Sequence, residues 1–236
     1  MIKKFFIKKI KFNIHTDIHS HLLPGIDDGS KSMDESVEMI KKFKNLGYEK
    51  LIITPHVMSE GYNNPTDLIL QKYYDLKKNI DFMNLNVSAE YNMDEEFVKR
   101  IKNKDLIAIS DKYILFETSY YTKPPVFEEI VFEINSLGFT PVFAHPERYR
   151  YLQDDFEKYK KIKDLGVLFQ CNINSFKGYY GKIAKKTVNY LAKNGLIDFL
   201  GSDVHSMKHL RFLEDVINSN ELNIVFRKNK IKNNEL

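Results

Sequence analysis

The chain has 236 residues, 43% hydrophobic and 29% charged, with 10 Gly, 7 Pro and one cysteine, Cys171. That composition suits one soluble globular domain and excludes disordered, collagen-like and disulfide-scaffold classes, while a lone cysteine excludes an intrachain disulfide and a thiol-rich metal site. The net charge is +4, yet the ends alone carry +8: residues 1–12 hold five Lys and no acid, and Arg227, Lys228, Lys230 and Lys232 face only Glu235, leaving −4 on the body between. An acidic body with basic ends does not resemble a nucleic-acid groove. No run approaches the ~20 apolar residues of a membrane helix, and the start lacks a signal-peptide core, so the expected location is the cytoplasm. Phe5, Phe6, Ile7 and Ile10 among the first lysines make that end a candidate peripheral contact with an anionic membrane surface.

Short apolar runs alternate with amphipathic stretches along the whole chain. A strand at 16–19 precedes a capping box, Ser32-Met33-Asp34-Glu35, that opens a helix stopped by Gly47. A strand at 51–54 leads to a helix capped by Thr66, and a strand at 86–90 to one capped by Asp94. After a strand at 114–117, Pro124-Pro125 opens a helix that ends at Gly138; after one at 141–144, Asp154 precedes a helix that Gly166 stops. The last units pair strands at 167–170 and 199–201 with helices at 181–194 and 206–219. Strict alternation demands parallel strands joined by crossovers, in an open sheet or a closed barrel.

Five of the seven histidines, His19, His21, His56, His145 and His205, stand at or just beyond the carboxyl ends of these strands, as do Glu90, Glu117 and Asp203. Asp28 lies in the first loop. Parallel α/β folds build their sites at that face. One strand-end histidine is ordinarily structural, but a carboxylate on an apolar strand such as Ile-Leu-Phe-Glu-Thr needs a cation beside it. Nine ligand-type groups exceed the roughly four to six positions around one transition-metal ion, which implies at least two ions and leaves room for three. Without a thiolate among them, Mn²⁺, Fe²⁺ and Zn²⁺ all suit, and phosphate-ester hydrolysis is the implied chemistry. A cysteine-based phosphatase is disfavoured, because the position six residues after Cys171 is Lys177 rather than Arg.

The run Asp17-Ile-His-Ser-His-Leu-Leu-Pro-Gly-Ile-Asp-Asp-Gly-Ser30, with Thr-Pro-His at 54–56, Ala-Glu-Tyr at 89–91, Phe-Glu-Thr at 116–118, Ala-His-Pro-Glu-Arg at 144–148 and Gly-Ser-Asp-Val-His at 201–205, resembles the polymerase and histidinol phosphatase (PHP) superfamily. Within it, the wording is closest to the metal-dependent protein-tyrosine phosphatases that regulate bacterial capsule and exopolysaccharide synthesis. The resemblance implies a single-domain distorted (β/α)7 barrel with the metal site at the C-terminal ends of the strands. It also implies a trinuclear site, with Mn²⁺ the leading metal: one ion on His19, His21, Glu90 and Asp203, a second on Glu90, Glu117 and His145, a third on Asp28, His56 and His205. Arg148 matches the family's phosphate-binding arginine, whose planar fork suits phosphate oxygens. A second basic contact falls on Lys208 or Arg211. Asn172, with Gln170 and Asn174, is read either as a substrate contact or as a structural group, and aromatics at Tyr120-Tyr121, Phe176 and Tyr179-Tyr180 as candidate walls for an aryl phosphate.

The expected organisation is a basic extension at 1–13, a phosphatase domain at 14–219 and a basic tail at 220–236. The expected substrate is phosphotyrosine in protein, such as the tail of a capsule-type tyrosine kinase. Hydrolysis of histidinol phosphate or another small phosphomonoester is the nearest alternative, and a non-catalytic metal-stabilised regulatory module a more distant one. Polymerase-associated exonuclease work calls for a larger chain or a basic groove.

Overall fold

The computed structural model describes residues 12–153 and 155–236. The lysine-rich stretch 1–11, with its expected membrane contact, and Asp154 lie outside the described residues. β1 (Thr16–Asp17) leads through a long loop to α1 (Met33–Asn45), where Ser32 caps the helix by accepting from the Glu35 amide. The other half of the expected capping box is redirected, since the Glu35 carboxylate accepts from the Lys31 amide at 2.8 Å. β2 (Lys50–Ile53) and β3 (His56–Val57) are two parts of one path, broken at Thr54-Pro55 because proline has no amide proton for the ladder. α2 (Thr66–Lys77) is not capped by Thr66, whose hydroxyl donates instead to Asp105 at 2.6 Å, and Pro65 holds the cap position.

β4 (Asn84–Val87) and β5 (Glu90–Asn92) form a second interrupted path, so β5 begins where the sequence places a strand end. α3 (Glu95–Asn103) is capped as expected by Asp94, which accepts from the Glu96 and Phe97 amides. The alternation continues through β6 (Tyr113–Glu117), α4 (Phe127–Ser136), β7 (Thr140–Ala144), α5 (Arg150–Gln153) and α6 (Glu157–Asp164). It closes with β8 (Leu168–Asn172), α7 (Lys182–Lys193), β9 (Phe199–Gly201), α8 (Met207–Ile217) and α9 (Asn223–Lys228).

Strands β1, β2 and β4 pair in that order, β3 and β5 to β9 in theirs, and every pair of named strands is parallel. A bridge between Ser20 and Val204, beside a 2.8 Å bond from the Asp203 amide to the His19 carbonyl, brings the first and last paths together. The sheet is therefore strongly curled. Alternate residues face two cores: Leu51, Ile53, Ile114 and Phe116 pack against the helices, while Ile52 and Leu115 join Ile18, Val142 and Phe199 on the opposite face. Burial on both faces explains why the strands read as continuous apolar runs.

Residues 220–236 are not a tail. The charges there are mostly exposed, but α9 buries Val225, and Asn233 is fully buried, donating to the carbonyls of Thr16 and Leu200 and accepting from the Leu200 amide. Leu236 packs on the cluster that includes Ile18 and Ile52, and its carbonyl accepts from Lys50, at the amino-terminal end of the sheet. A charge count over ten residues conceals these few inward-facing groups.

Candidate metal centre

His19 and His21 follow β1 on a segment held between Thr54 and Val204, whose backbones bond to Ser20 and His21. Both imidazoles are fully buried. His19 Nδ1 donates to the Gln170 side-chain oxygen at 2.7 Å, and His21 Nδ1 to Asp27 Oδ2 at 2.8 Å. These bonds fix the tautomers, so each ring aims an Nε2 lone pair at the middle of the cluster. The two Nε2 atoms lie only 3.3 Å apart. Two lone pairs at that separation repel unless a cation or a shared proton lies between them. His205 is oriented the same way, with Nδ1 donating to the Asp203 carbonyl at 3.0 Å.

Glu90, fully buried at the start of β5, stands at the centre. Its Oε2 is 3.1 Å from His19 Nε2, 3.4 Å from His21 Nε2 and 3.1 Å from His56 Nδ1, and its Oε1 is 3.0 Å from His145 Nε2. Glu117, at the end of β6, reaches His56 Nδ1 at 3.1 Å. Despite these approaches, Glu90 Oε2 and His56 Nδ1 have no properly directed hydrogen-bond partner. Buried polar atoms left in that condition are expensive, and a divalent cation satisfies them without hydrogen-bond angles. The donor set fits metal.

Burial opposes charge on these groups, but their mutual attraction outweighs it. Beside Glu90 and Asp203, His19 is held up to about 9 despite its burial, and Glu90 and Glu117 hold His56 up to about 10. Burial likewise disfavours the Asp203 carboxylate, yet His19, His205 and Arg148 keep it below the usual range. In the metal-free chain these imidazoles store protons that a bound cation displaces.

His145 and Asp203 adopt left-handed backbone conformations, with φ of 33° and 51°. Such conformations cost a non-glycine residue about 1–3 kcal/mol and cluster at functional sites. Here each bends the chain just after its strand and turns the side chain into the cluster. Gly29 has a different role: a Cβ there would lie 2.1 Å from the His21 carbonyl oxygen and 2.5 Å from the His21 Cβ. Gly29→Ala should therefore push His21 out of place, costing about 1–3 kcal/mol of stability. Metal content per chain and the thermal midpoint should both fall, and wild-type values of both would contradict this account.

All nine residues expected as ligands are brought together. They fall into overlapping sets: His21, Asp28, His56 and His205; His19, His21 and Asp203; His19, Glu90 and His145; and His56, Glu90 and Glu117. His21 thus reaches the set expected around Asp28, and His56 also faces Glu90 and Glu117. Accessibility rises from the buried His19, His21 and Glu90 to a rim of His56, His205 and the half-exposed Asp28 side chain. The rim opens into a cavity of about 380 Å³ that Tyr120, Arg148, Tyr180 and His209 also line.

Arg148 projects into this cavity between two aromatic rings, its guanidinium carbon 4.8 Å from the centre of Tyr120 and 4.3 Å from that of Tyr180. Nη1 donates to Asp203 Oδ2 at 2.9 Å. Lys208 and Arg211 do not line the cavity; both are exposed on α8, and the residue that this helix presents to the cavity is His209. Asn172 is no open substrate contact either. It is fully buried, accepts from Gln170 and donates to Asp203 Oδ2 at 2.6 Å, so it braces the cluster from behind. Of the expected aromatic walls, Phe176 is buried in the core, whereas Tyr120 and Tyr180 do line the cavity.

Sequence reasoning missed Asp27, which orients His21 and accepts from the His56 and Gly29 amides. It also missed Asp17, whose carboxylate receives both the amide and the hydroxyl of Ser202 and ties the last strand to the first. The only available signal was two acids side by side at 27 and 28, and spacing does not separate a ligand from its support.

The chain is similar to several known proteins. CapC of Staphylococcus aureus is 28% identical over 228 residues, covering 93% of this chain and 89% of the relative. The tyrosine-protein phosphatase YwqE of Bacillus subtilis is 29% identical over 201 residues, covering 83% and 79%. A solved structure from a study of Bacillus subtilis YwqE and Streptococcus pneumoniae CpsB, described as metal-dependent tyrosine phosphatases, superposes with a TM-score of 0.77 at 26% identity, covering 92% of this chain and 96% of that one. The family model for capsular polysaccharide synthesis, CpsB/CapC, matches residues 15–213, a span that includes all nine clustered residues, and the chain belongs to that family.

Proposed function

We propose that this chain is a metal-dependent phosphomonoesterase that hydrolyses phosphotyrosine in protein, acting in the cytoplasm on the tail of a capsule-type tyrosine kinase. The observation that carries the metal dependence is the convergence of the His19 and His21 Nε2 atoms on the buried Glu90 carboxylate. In this reading the two sheets are halves of one distorted seven-stranded barrel, and the four overlapping ligand sets hold three divalent ions, with Mn²⁺ the leading candidate. Such ions, when bound, lower the pKa of water from about 15.7 to about 7 and neutralise charge on phosphate oxygens.

The chain's own groups supply the rest. Arg148 offers a planar fork to the phosphate, pre-set by the Tyr120 and Tyr180 rings and by Asp203, so little side-chain freedom is lost on binding. The space between these rings is taken by Arg148 itself, so a substrate phenyl group would pack on their outer edges at the mouth of the cavity. Gln170 and Asp27 hold the tautomers that keep His19 and His21 as lone-pair donors. Cys171 has no part, being fully buried, with its thiol pushed up by burial and by Glu147 beside it.

The discriminating experiment compares kcat/KM for phosphotyrosyl peptide, phosphoseryl peptide and histidinol phosphate with Mn²⁺ supplied, since that ratio reports differential transition-state binding. The phosphotyrosyl peptide should lead by at least about tenfold, the order expected from apolar burial of one ring. Preference for histidinol phosphate would replace the substrate and leave the metal chemistry standing.

A further inference from the structure

A second cavity, also about 380 Å³, opens beside the first and shares Tyr120, Arg148 and Tyr180 with it. Its outer part holds Arg150, which stacks its guanidinium 5.0 Å from the Tyr121 ring centre, and Lys182 at the start of α7. Three cations line this groove and no carboxylate does. Among the described residues, neither Arg150 nor Lys182 has an ion-pair partner, although the body of the chain between its basic ends is net acidic. The rim adds two exposed apolar side chains, Tyr121 at 66% and Ile183 at 61%.

We propose that this groove binds the stretch of substrate polypeptide flanking the phosphotyrosine, and that Arg150 and Lys182 select an acidic side chain in that stretch. The inference rests on the phosphatase reading and deepens it by naming the substrate's character. Continuity decides the direction: the two cavities share Tyr120, Arg148 and Tyr180, so a chain whose phosphate lies on Arg148 leaves the metal cavity past these residues, directly into the groove. Carboxylates on the substrate then meet Arg150 and Lys182, while its apolar atoms cover Tyr121 and Ile183. Each exposed ion pair is worth only about 0.2–1 kcal/mol, so two yield a preference of about two- to thirtyfold. That preference weakens as salt is added.

The test uses the metal-loaded full chain and phosphotyrosyl peptides in which one Glu is moved position by position around the phosphotyrosine, each against its Gln counterpart. In the wild type, kcat/KM should favour Glu over Gln by about two- to thirtyfold at one or more positions. In the Arg150→Gln/Lys182→Gln double variant that ratio should fall to about one, and in Arg150→Glu/Lys182→Glu it should invert in favour of Gln. A wild-type ratio of one at every position, or a preference unchanged in the variants, overturns the subsite while leaving the phosphatase reading intact. Failure of the metal-loaded wild type on both p-nitrophenyl phosphate and phosphotyrosyl peptide overturns the phosphatase reading, and the subsite with it.

Discussion

Glu90→Gln abolishes metal binding and turnover together. Among the described residues Glu90 is the one carboxylate that touches His19, His21, His56 and His145, all within 3.4 Å. The substitution keeps the shape but exchanges the central negative charge for a neutral amide, which presents an NH₂ donor to inward-facing imidazoles. Burial raises the Glu90 pKa in isolation, yet His19 and His56 beside it hold the carboxyl well below the usual range, which marks how strongly the surroundings favour its charge. Losing several kcal/mol of charge stabilisation corresponds to about three or more decades in rate. Metal content measured on the same preparation should fall in parallel, and Cys171→Ser, carried alongside, should retain both. Glu90→Gln protein with full metal content and wild-type kcat would show that the cluster has been misread.

Arg148→Ala separates phosphate binding from metal binding. The guanidinium is tethered by Asp203 and by two rings, but among the described residues it belongs to none of the four ligand sets. Its removal should leave most of the metal in place and cost about 10²–10³ in kcat/KM, the order expected for one charged donor aimed at developing phosphate charge. Arg148→Lys should recover only part, because an ammonium cannot reproduce the two-pronged fork or stack between Tyr120 and Tyr180. Kinetics and metal analysis on both variants decide the matter, and unchanged kcat/KM in Arg148→Ala would return this residue to a purely structural role.

The parts of the site that were legible in the sequence share a physical origin. Strand ends are marked by apolar runs, and an ionisable group at the end of such a run is conspicuous because desolvation makes it costly, so eight of the nine clustered groups could be read from strand ends, with Asp28 added from the first loop. Arg148 was legible through its motif. What stayed hidden depends on long-range register. Whether Asn172 faces the cavity or Asp203 is set by the pairing of β8 with β9, in which Asn172 lies opposite Gly201. Likewise, Lys208 and Arg211 lie three apart on one exposed face of α8 while His209 turns inward, a rotation fixed by the burial of Leu210 and Leu213. The breaks at Thr54-Pro55 and Ser88-Ala89 interrupted two strand paths without moving His56 and Glu90, which follow them, out of the cluster. The C-terminal segment was misjudged because Asn233 and Leu236, which dock it, are too few to change the composition of their neighbourhood.

The central claim is that hydrolysis of phosphotyrosine requires metal held by this cluster. Turnover of a phosphotyrosyl peptide should be followed in one preparation as isolated, after exhaustive chelation, and after Mn²⁺ is returned, with bound metal quantified at each stage. The predicted result is loss of turnover as metal is removed, its recovery with Mn²⁺, and a thermal midpoint that falls and rises in step because metal binds only the folded chain. Full turnover in protein shown to contain no metal would contradict the account.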